Sequence, residues 1–333
     1  MTMDRSWAET LLQGLSSLRV VVIGDLMLDR YIYGSVRRIS PEAPVPVVHV
    51  TDEVFMPGGA SNVAWNVHTL GAQAAVAGLI GADRDGEELL GLLEAGGVHT
   101  GAVLSLAEAR TTVKTRIIAE RQQVVRVDWE KRYQLTDADW GQFIARVRSE
   151  IEAADGVIIE DYGKGVLSQE LVDVVLNVAK QRQIPVGYDP KDDHAINVSG
   201  VTVATPNLKE AYAAVGREEP VSVIQPLQDR ELLTVGNSLL EKWGVELLMI
   251  TLGPGGMLLL EEGADPIHVP TRAREVFDVS GAGDTVIATA TLALAAGATH
   301  RQAAELANYA AGVVVAQLGT APCSAAELLE AMP

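Results

Sequence analysis

Residues 156–190 read GVIIEDYGKGVLSQELVDVVLNVAKQRQIPVGYDP, and this stretch decides the fold class. GVIIED (156–161) and IPVGYDP (184–190) are short apolar runs that end in turn-forming residues, which is typical of buried strands. Between them, SQELVDVVLNVAKQRQ (168–183) repeats apolar residues at the spacing of one helix face. A strand, a helix and a second strand at this pitch predict a parallel sheet covered by helices.

The same alternation extends along the chain. RVVVIGD (19–25), VTVATPN (201–207) and ELLMITLG (246–253) read as further buried strands, and DRELLTVGNSLLEKWG (229–244) as a further helix. We therefore predict an α/β fold with a doubly wound, mostly parallel sheet. Ligands of such sheets bind beyond the carboxyl ends of the strands. The polar residues that end these runs are candidates for the site, with turn formation and helix capping as the alternative: Asp25, Asp161, Asp189, Asn207 and Thr251.

Two segments have a different pattern. Residues 31–56 and 110–130 alternate polar and apolar side chains, as strands with one covered face do. They predict a small sheet outside the parallel core, acting as a lid or as a dimer surface. Without a repeat, a low-complexity tract or a linker in the sequence, we predict one domain over 1–333 with this lid inserted.

Charge and composition exclude several classes of function. The 333 residues carry a net charge of -18, which opposes long-range attraction to nucleic acid or to an anionic membrane. The single cysteine, Cys323, suits a reducing compartment, and no His/Cys spacing resembles a zinc site. The polar N-terminus has no signal-peptide core. We expect a cytoplasmic protein that has neither nucleic acid nor membrane as a partner.

The motif DVSGAGDT (278–285) places small residues before an apolar helix. Gly281, Ala282 and Gly283 would let an anion approach the unpaired amides at the helix start. Asp284 adds a carboxylate there, and two negative groups side by side would repel each other. The arrangement is explained if the anion is a transferring phosphoryl group. The amides would then stabilise its oxygens while Asp284 takes the proton from the attacking hydroxyl. A glycine-rich loop with an acidic cap is the alternative.

Two further motifs suit a polar ligand. In MPGGASNVAWNVHTLGA, Gly58 and Gly59 permit close approach, and Asn62 offers a donor and an acceptor to sugar hydroxyls. A glycine turn with Ser/Asn capping is the alternative. In GDLMLDRY, Asp25 and Asp29 suit bidentate binding of vicinal hydroxyls, with a metal pair or a helix cap as rival interpretations.

GGASNVAWNVHTLG and DVSGAGDT, in this order and separation, resemble the two signature regions of the ribokinase-like (PfkB) carbohydrate kinases, over roughly residues 18–321. The stretches VVVIGDLMLDRYIYGSVRRISPEAPVPVV, EDYGKGVL, DPK and TPNLKEA resemble one group in that family, the D-glycero-β-D-manno-heptose 7-phosphate kinases of lipopolysaccharide-core precursor synthesis. The resemblance implies transfer of phosphate from ATP, with Mg²⁺, to O1 of the heptose 7-phosphate, giving the 1,7-bisphosphate. Alternatives are a kinase of another sugar or sugar phosphate and a non-catalytic sugar-phosphate sensor, although the intact Asp284 counts against a sensor.

The resemblance also implies roles for individual residues. Asp284 matches the catalytic base, and Gly281, Ala282 and Gly283 match the anion hole. The positions that match sugar, nucleotide and magnesium contacts are Asp29, Gly58, Gly59 and Asn62 for the sugar, Asn207, Lys209 and Glu210 for ATP and the metal, and Thr251, Gly253 and Gly256 for the loop beside the ATP phosphates. Among these, Glu210 is the expected metal ligand.

A substrate that carries its own phosphate needs basic residues nearby. Lys164 and Lys191 each follow a predicted strand end, while Lys114 and Arg116 lie on the predicted lid and could close over the phosphate. We predict that this set binds the substrate, although one member could instead serve ATP.

Three expectations remain. Many relatives are fused to a nucleotidyltransferase, whereas this chain stops at Pro333, so the adenylyltransferase is expected on a separate chain. Glu160 stands where a small or polar residue is expected, which leaves its role toward magnesium open. The alternating lid strands would expose an apolar face in a monomer, so we expect a homodimer in which each lid covers the other.

Overall fold

The computed structural model describes residues 5–120, 122–191, 196–273, 275–317 and 319–333. The strands are β1 Arg19–Gly24, β2 Leu26–Ile39, β3 Pro46–Gly59, β4 Gln73–Gly81, β5 His99–Leu106, β6 Thr112–Ala119, β7 Gln122–Trp129, β8 Gly156–Glu160, β9 Val186–Asp189, β10 Val203–Ala204, β11 Leu247–Thr251, β12 Met257–Glu261 and β13 Ile267–Val269. The helices are α1 Arg5–Gly14, α2 Ala60–Thr69, α3 Arg84–Ala95, α4 Asp137–Glu152, α5 Gln169–Arg182, α6 Leu208–Ala214, α7 Arg230–Trp243, α8 Ala282–Ala295, α9 His300–Val314 and α10 Ala325–Ala331.

Across the described ranges, the large sheet has nine strands in the order β13-β12-β11-β10-β9-β8-β1-β4-β5. From β11 to β5 along this order, each strand pairs in parallel with its neighbour. At the other edge, β12 pairs antiparallel with β11, and β13 pairs antiparallel with β12. The segments predicted as buried strands became β1, β8, β9, β10 and β11, and those predicted as helices became α5 and α7. The predicted mostly parallel α/β fold is confirmed.

Alternate side chains of the central strand β1 enter two different cores. Val20 and Val22 are fully buried in one core, with residues of α2, α8 and α9. Val21 and Ile23 are fully buried in the other, with residues of α4, α5 and α7. Because successive strand residues point to opposite faces, an apolar run without alternation is what a sheet covered on both faces requires.

The described residues form a second sheet of four strands, with the order β3-β2-β6-β7, which we call the small sheet. It contains the segments 31–56 and 110–130, although β2 begins earlier, at Leu26. β2 starts one residue after Asp25, which follows β1, and α2 begins directly after β3. The small sheet is therefore attached at the carboxyl end of β1, next to the expected ligand site.

A bilayer-spanning helix needs both length and apolar character, and no helix in the described ranges combines the two.

Candidate active site

Asp284 lies in the first turn of α8 and is 5 % exposed. Its Oδ2 accepts a hydrogen bond of 2.7 Å from Asn62 Nδ2, and its Oδ1 accepts one of 2.9 Å from the Tyr162 hydroxyl. Burial raises the pKa of Asp284, while these two hydrogen bonds act in the opposite direction because they favour the charged carboxylate. A carboxylate held in this way can accept a proton from a hydroxyl.

The start of α8 is shaped by Gly281, which has a φ of 78° and forms the N-cap. A Cβ on Gly281 would lie 3.0 Å from Asn62 Nδ2, so a side chain there would press on the amide that holds Asp284. The following residues, Ala282 and Gly283, open the helix, where the first amides have no partner within the helix. These amides are suitably placed to bind an anion.

Polar contacts between α2 and α8 fix the position of Asp284. Asn62 is in the first turn of α2 and is 1 % exposed. One turn later, Asn66 Oδ1 accepts hydrogen bonds from the Thr285 hydroxyl and from Cys323 N, while Asn66 Nδ2 donates to the Asn62 carbonyl oxygen. The sequence analysis did not single out Asn66 or Thr285. Asn66 follows Asn62 by four positions on α2, and Thr285 follows Asp284 by one position on α8. This proximity to predicted site residues is the signal in the sequence that could have identified them.

Asp25 differs from its prediction as a substrate ligand. It is 1 % exposed, and its carboxylate accepts hydrogen bonds from the backbone N–H groups of Tyr162, Lys164 and Val166, at 2.9 to 3.1 Å. Its oxygens are committed to the loop after β8, so it holds that loop in place instead of facing a sugar. This loop carries Tyr162 to Asp284.

Asp29 is buried on β2 and pairs with Arg116 on β6, with 2.8 Å between Asp29 Oδ1 and Arg116 Nη1. Burial raises the pKa of Asp29, and the charge of Arg116 opposes that rise. A Cβ on Gly58 would lie 3.0 Å from Asp29 Oδ2, and a Cβ on Gly59 would lie 2.6 Å from the Asp25 carbonyl oxygen. Close packing of β3 on β2 thus accounts for both glycines without a ligand.

The predicted basic residues have different surroundings. Lys114 Nζ lies 5.0 Å from the centre of the Tyr162 ring, and burial lowers the pKa of Lys114. Lys164, on the loop held by Asp25, forms an ion pair with Glu130, with 2.7 Å between Nζ and Oε2. Lys114 pairs in register with Asp29 across β6 and β2, so both Lys114 and Arg116 lie next to Asp29, and their binding of a phosphate stays a prediction.

A small acidic cavity of about 160 Å³ opens at the start of α8. Its lining residues are Asp161, Tyr162, Asp189, Pro190, Lys191, Thr205, Asn207, Glu210, Thr251, Gly281, Gly283 and Asp284. Asn207 caps α6 and exchanges hydrogen bonds of 2.9 Å with Glu210, a capping box. Asn207 therefore caps α6, which was the alternative given for it, and it also lines the cavity together with Glu210.

An apolar cavity of about 270 Å³ adjoins the acidic one and shares Thr251 and Gly283 with it. Gly253 and Gly256 line it, together with Val279, which precedes α8, and with Val286 and other apolar residues of α8 and α9. Lys209 lies on the exposed side of α6 and lines neither of these two cavities. An apolar cavity thus adjoins a polar one that contains both the start of α8 and several carboxylates.

Glu160, at the end of β8, is fully buried, and apart from the neighbouring carboxyl group of Asp189 its oxygens have no hydrogen-bond partner among the described residues. One carboxylate oxygen from each of Glu160, Asp189 and Asp284 lies within 4.8 Å of the other two. Burial and the neighbouring carboxylates raise the pKa of Glu160 well above its usual range. Glu210, the expected metal ligand, lies beside this group and is not one of its three members.

A family model described as pfkB family carbohydrate kinase matches residues 17–327. The chain belongs to the pfkB family of carbohydrate kinases. The resemblance inferred from the two glycine motifs is confirmed, and so is the class of enzyme, a sugar kinase.

The curated relatives include proteins named bifunctional protein HldE. The one from Trichlorobacter lovleyi is 43% identical over 331 residues, which cover 99% of this chain and 66% of the relative. The one from Caulobacter vibrioides is 45% identical over 310 residues, covering 93% of this chain and 62% of the relative. This chain thus spans slightly less than two thirds of the length of these relatives.

Solved structures of sugar kinases share the fold. The ribokinase of Arabidopsis thaliana, solved with ribose and ATP, has a TM-score of 0.71 at 21% identity and covers 94% of this chain and 98% of its own. Phosphofructokinase-2 from Escherichia coli, solved with substrates and products, has a TM-score of 0.74 at 22% identity. The match covers 94% of this chain and 98% of the phosphofructokinase chain.

Proposed function

We propose that this pfkB-family enzyme transfers the γ-phosphoryl group of ATP to O1 of D-glycero-β-D-manno-heptose 7-phosphate, forming the 1,7-bisphosphate and ADP. The observation that carries the proposal is the position of Asp284. It is buried at the start of α8, is held by Asn62 and Tyr162, and lines the acidic cavity that adjoins the apolar one. The similarity to proteins named HldE supports the choice of a heptose phosphate.

The two cavities support ATP as the donor. The apolar cavity, lined by Gly256, Val279 and Val286, suits an adenine ring. The shared residues Thr251 and Gly283 lead from it to the acidic cavity, where the phosphates would meet the first amides of α8. The γ-phosphorus would then come next to Asp284.

Asp284 acts as the base in the transfer step. It accepts the proton of the acceptor hydroxyl, whose oxygen bonds to the γ-phosphorus while the bond to the β–γ bridging oxygen breaks and ADP leaves. The Gly281–Gly283 turn presents backbone amides to the transferring oxygens. The three neighbouring carboxylates, those of Glu160, Asp189 and Asp284, fit a divalent cation at the acidic cavity, beside Glu210. Mg²⁺ bound there with ATP would offset the negative charge of the phosphates.

The charged residues around Asp29 support a sugar phosphate as the acceptor. Asp29, which Arg116 holds, would accept hydrogen bonds from sugar hydroxyls. Lys114, next to Tyr162, and Arg116 bring positive charge close to Asp29 in a protein with a net charge of -18. A dianionic phosphate near the acidic site needs such partners.

Turnover of ATP with a panel of acceptors tests this proposal. The panel contains heptose 7-phosphate, the unphosphorylated heptose, ribose and fructose 6-phosphate, and ³¹P NMR identifies the phosphorylated position. We expect heptose 7-phosphate to give the highest kcat/KM and a new phosphate on O1. Equal turnover of phosphorylated and unphosphorylated heptose, or preference for another sugar, would contradict the assignment.

The basic residues provide a second test. Lys114→Ala should raise the KM for the sugar phosphate by at least about tenfold, the loss of one charge-assisted hydrogen bond, and leave the KM for ATP nearly unchanged. Lys180→Ala is the matched control, because Lys180 is exposed in the last turn of α5 and lines neither cavity. If both variants raise the KM equally, Lys114 does not bind the substrate phosphate.

A further inference from the structure

Asn66 is a fully buried polar residue of α2 that the transfer step above does not use. It is 0 % exposed and lines neither the acidic nor the apolar cavity. Its side-chain amide nevertheless forms hydrogen bonds with three parts of the chain: Asn62 one turn earlier on α2, Thr285 on α8, and Cys323 in the segment before α10. A buried amide with several partners can fix the orientation of the polar groups around it.

The orientation of an asparagine amide is decided by its hydrogen bonds. Its oxygen and nitrogen have nearly the same size, so the amide can turn over with almost no change of shape. For Asn62 the choice matters, because its Nδ2 donates to Asp284 Oδ2 at 2.7 Å. A turned amide would present its oxygen to the charged carboxylate, and two acceptors at that distance repel each other. The orientation of Asn62 thus decides whether it holds the base or displaces it.

The orientation of Asn66 is set by a backbone group. Asn66 Oδ1 lies 3.2 Å from Cys323 N, and a backbone N–H can only donate. The Thr285 hydroxyl, 3.0 Å from the same oxygen, can donate or accept and so imposes no direction by itself. Cys323 is 0 % exposed, so an unpaired N–H there would be costly. Asn66 must therefore turn its oxygen toward Cys323.

With its oxygen committed, Asn66 turns its nitrogen toward Asn62. Asn66 Nδ2 donates to the Asn62 carbonyl oxygen at 3.0 Å and makes a longer contact of 3.5 Å with Asn62 Oδ1. A turned Asn62 would place its own NH₂ group against this one, and two facing donors would both lose an acceptor where Asn62 is only 1 % exposed. Asn62 therefore keeps its oxygen toward Asn66 and its nitrogen toward Asp284.

We propose that Asn66 is a positioning residue for the base, and that the backbone N–H of Cys323 sets the orientation of both asparagine amides so that Asn62 can only donate to Asp284. The segment before α10 thus contributes to the site through one backbone group. The inference rests on the proposed function in one respect, which is the role of Asp284 as the base. Its first test needs no turnover.

Neutron diffraction from perdeuterated crystals of the full chain, grown above neutral pH without nucleotide, shows the orientations directly. We expect the two amide deuterons of Asn62 on the atom that faces Asp284, and those of Asn66 on the atom that faces Asn62. Deuterons on the Asn62 atom that faces Asn66 would overturn the proposal. This measurement uses the parent protein and does not depend on the folding of any variant.

The kinetics of Asn66→Leu measure the effect on the reaction, because leucine has a similar size and no amide. Asn62 can then turn over, so we expect kcat to fall about three- to tenfold, as for one weakened hydrogen bond, with both KM values within about twofold of the parent. Thr69→Val is the matched control. Thr69 Oγ1 donates to the Cys323 carbonyl oxygen at 3.1 Å, so this variant removes another contact between α2 and the same segment. It should lower the Tm, as Asn66→Leu does, and leave kcat within about twofold of the parent.

A double variant tests whether Asn66 acts through Asn62. Asn62→Ala alone should lower kcat by more than Asn66→Leu does, because the hydrogen bond to the base is then lost outright. Adding Asn66→Leu to Asn62→Ala should lower kcat no further, since the amide that Asn66 orients is already absent. If the two effects multiply instead, Asn66 acts independently of Asn62 and the proposal is wrong. An equal loss of kcat in Thr69→Val would also contradict it, because that would indicate general loosening of α2.

Two further outcomes are separable from these. If Asn66→Leu does not fold, Asn66→Ala is measured in its place with the same expectations, because a water molecule can then pair with the Cys323 N–H. If heptose 7-phosphate is not phosphorylated, only the substrate assignment fails, since the diffraction experiment needs no acceptor and the kinetics can use whichever acceptor of the panel turns over. Normal turnover of Asp284→Asn would contradict the assignment of the base, while the orientation of Asn62 would still be read from the deuterons.

Discussion

Asp284 combines two requirements that conflict in water, because a base must be charged and yet close to a phosphate. Its place in the first turn of α8 favours the charged form, as do the hydrogen bonds from Asn62 and Tyr162. Asp284→Asn keeps the shape of the side chain but cannot accept the proton. We expect turnover to fall on the order of 10²–10⁴-fold, the usual contribution of a general base, while calorimetry shows unchanged ATP binding. Turnover within a few-fold of the parent would show that another group is the base.

The pH dependence of turnover follows from the same residue. Burial raises the pKa of Asp284, and the charged form is the active one, so kcat/KM should fall as the pH drops through that raised pKa. Tyr162→Phe removes a hydrogen bond that lowers the pKa, so its acid limb should lie at higher pH than that of the parent. Tyr212→Phe is the control, since Tyr212 is buried on α6 away from Asp284 and its hydroxyl has no partner in the described chain. An unshifted limb in Tyr162→Phe would show that this hydrogen bond does not tune the base.

At the scale of elements, the loop after β8 depends on a residue that follows β1. Asp25 accepts hydrogen bonds from the amides of Tyr162, Lys164 and Val166. Asp25→Asn leaves one acceptor oxygen, so these amides should exchange hydrogen with solvent faster, and turnover should fall because Tyr162 loses its place against Asp284. Hydrogen exchange followed by mass spectrometry measures this effect. Asp29→Asn should leave these amides protected, and if it exposes them equally, the loop is held by something other than Asp25.

At the scale of the whole molecule, the small sheet exposes apolar side chains. Those exposed by a third or more of their surface on its strands are Ile39, Val50, Val54, Val124, Val125, Val127 and Trp129. Strands with an apolar exposed surface tend to associate, so we expect a homodimer formed through the small sheet. The double variant Val125→Asp and Val127→Asp should sediment as a monomer at micromolar concentration, whereas Val221→Asp, outside the small sheet, should leave the assembly unchanged. A monomeric parent protein would contradict this expectation.

The fold class could be predicted from the sequence because the required signals are local. A buried parallel strand is a short continuous apolar run, and a helix repeats its apolar residues along one face, so the spacing within 156–190 is sufficient. The same holds for DVSGAGDT, since a glycine turn, a helix start and a carboxylate lie within eight residues. Asp284 could therefore be proposed as the base without knowledge of its neighbours.

The partners of Asp284 were decided by the tertiary structure. Asn62 and Tyr162 are 222 and 122 residues away along the chain, and they reach Asp284 because α2 packs on α8 and β8 lies beside β1. For the same reason Asp25 turned from an expected ligand into the support of a loop, and Glu160 joined Asp189. Periodicity is a property of one segment, whereas these contacts depend on the order and register of strands that are distant in sequence. The sequence alone was therefore enough to predict the buried strands and a candidate for the base, and only the packed sheet decided which carboxylate holds the loop and which carboxylates lie close to one another.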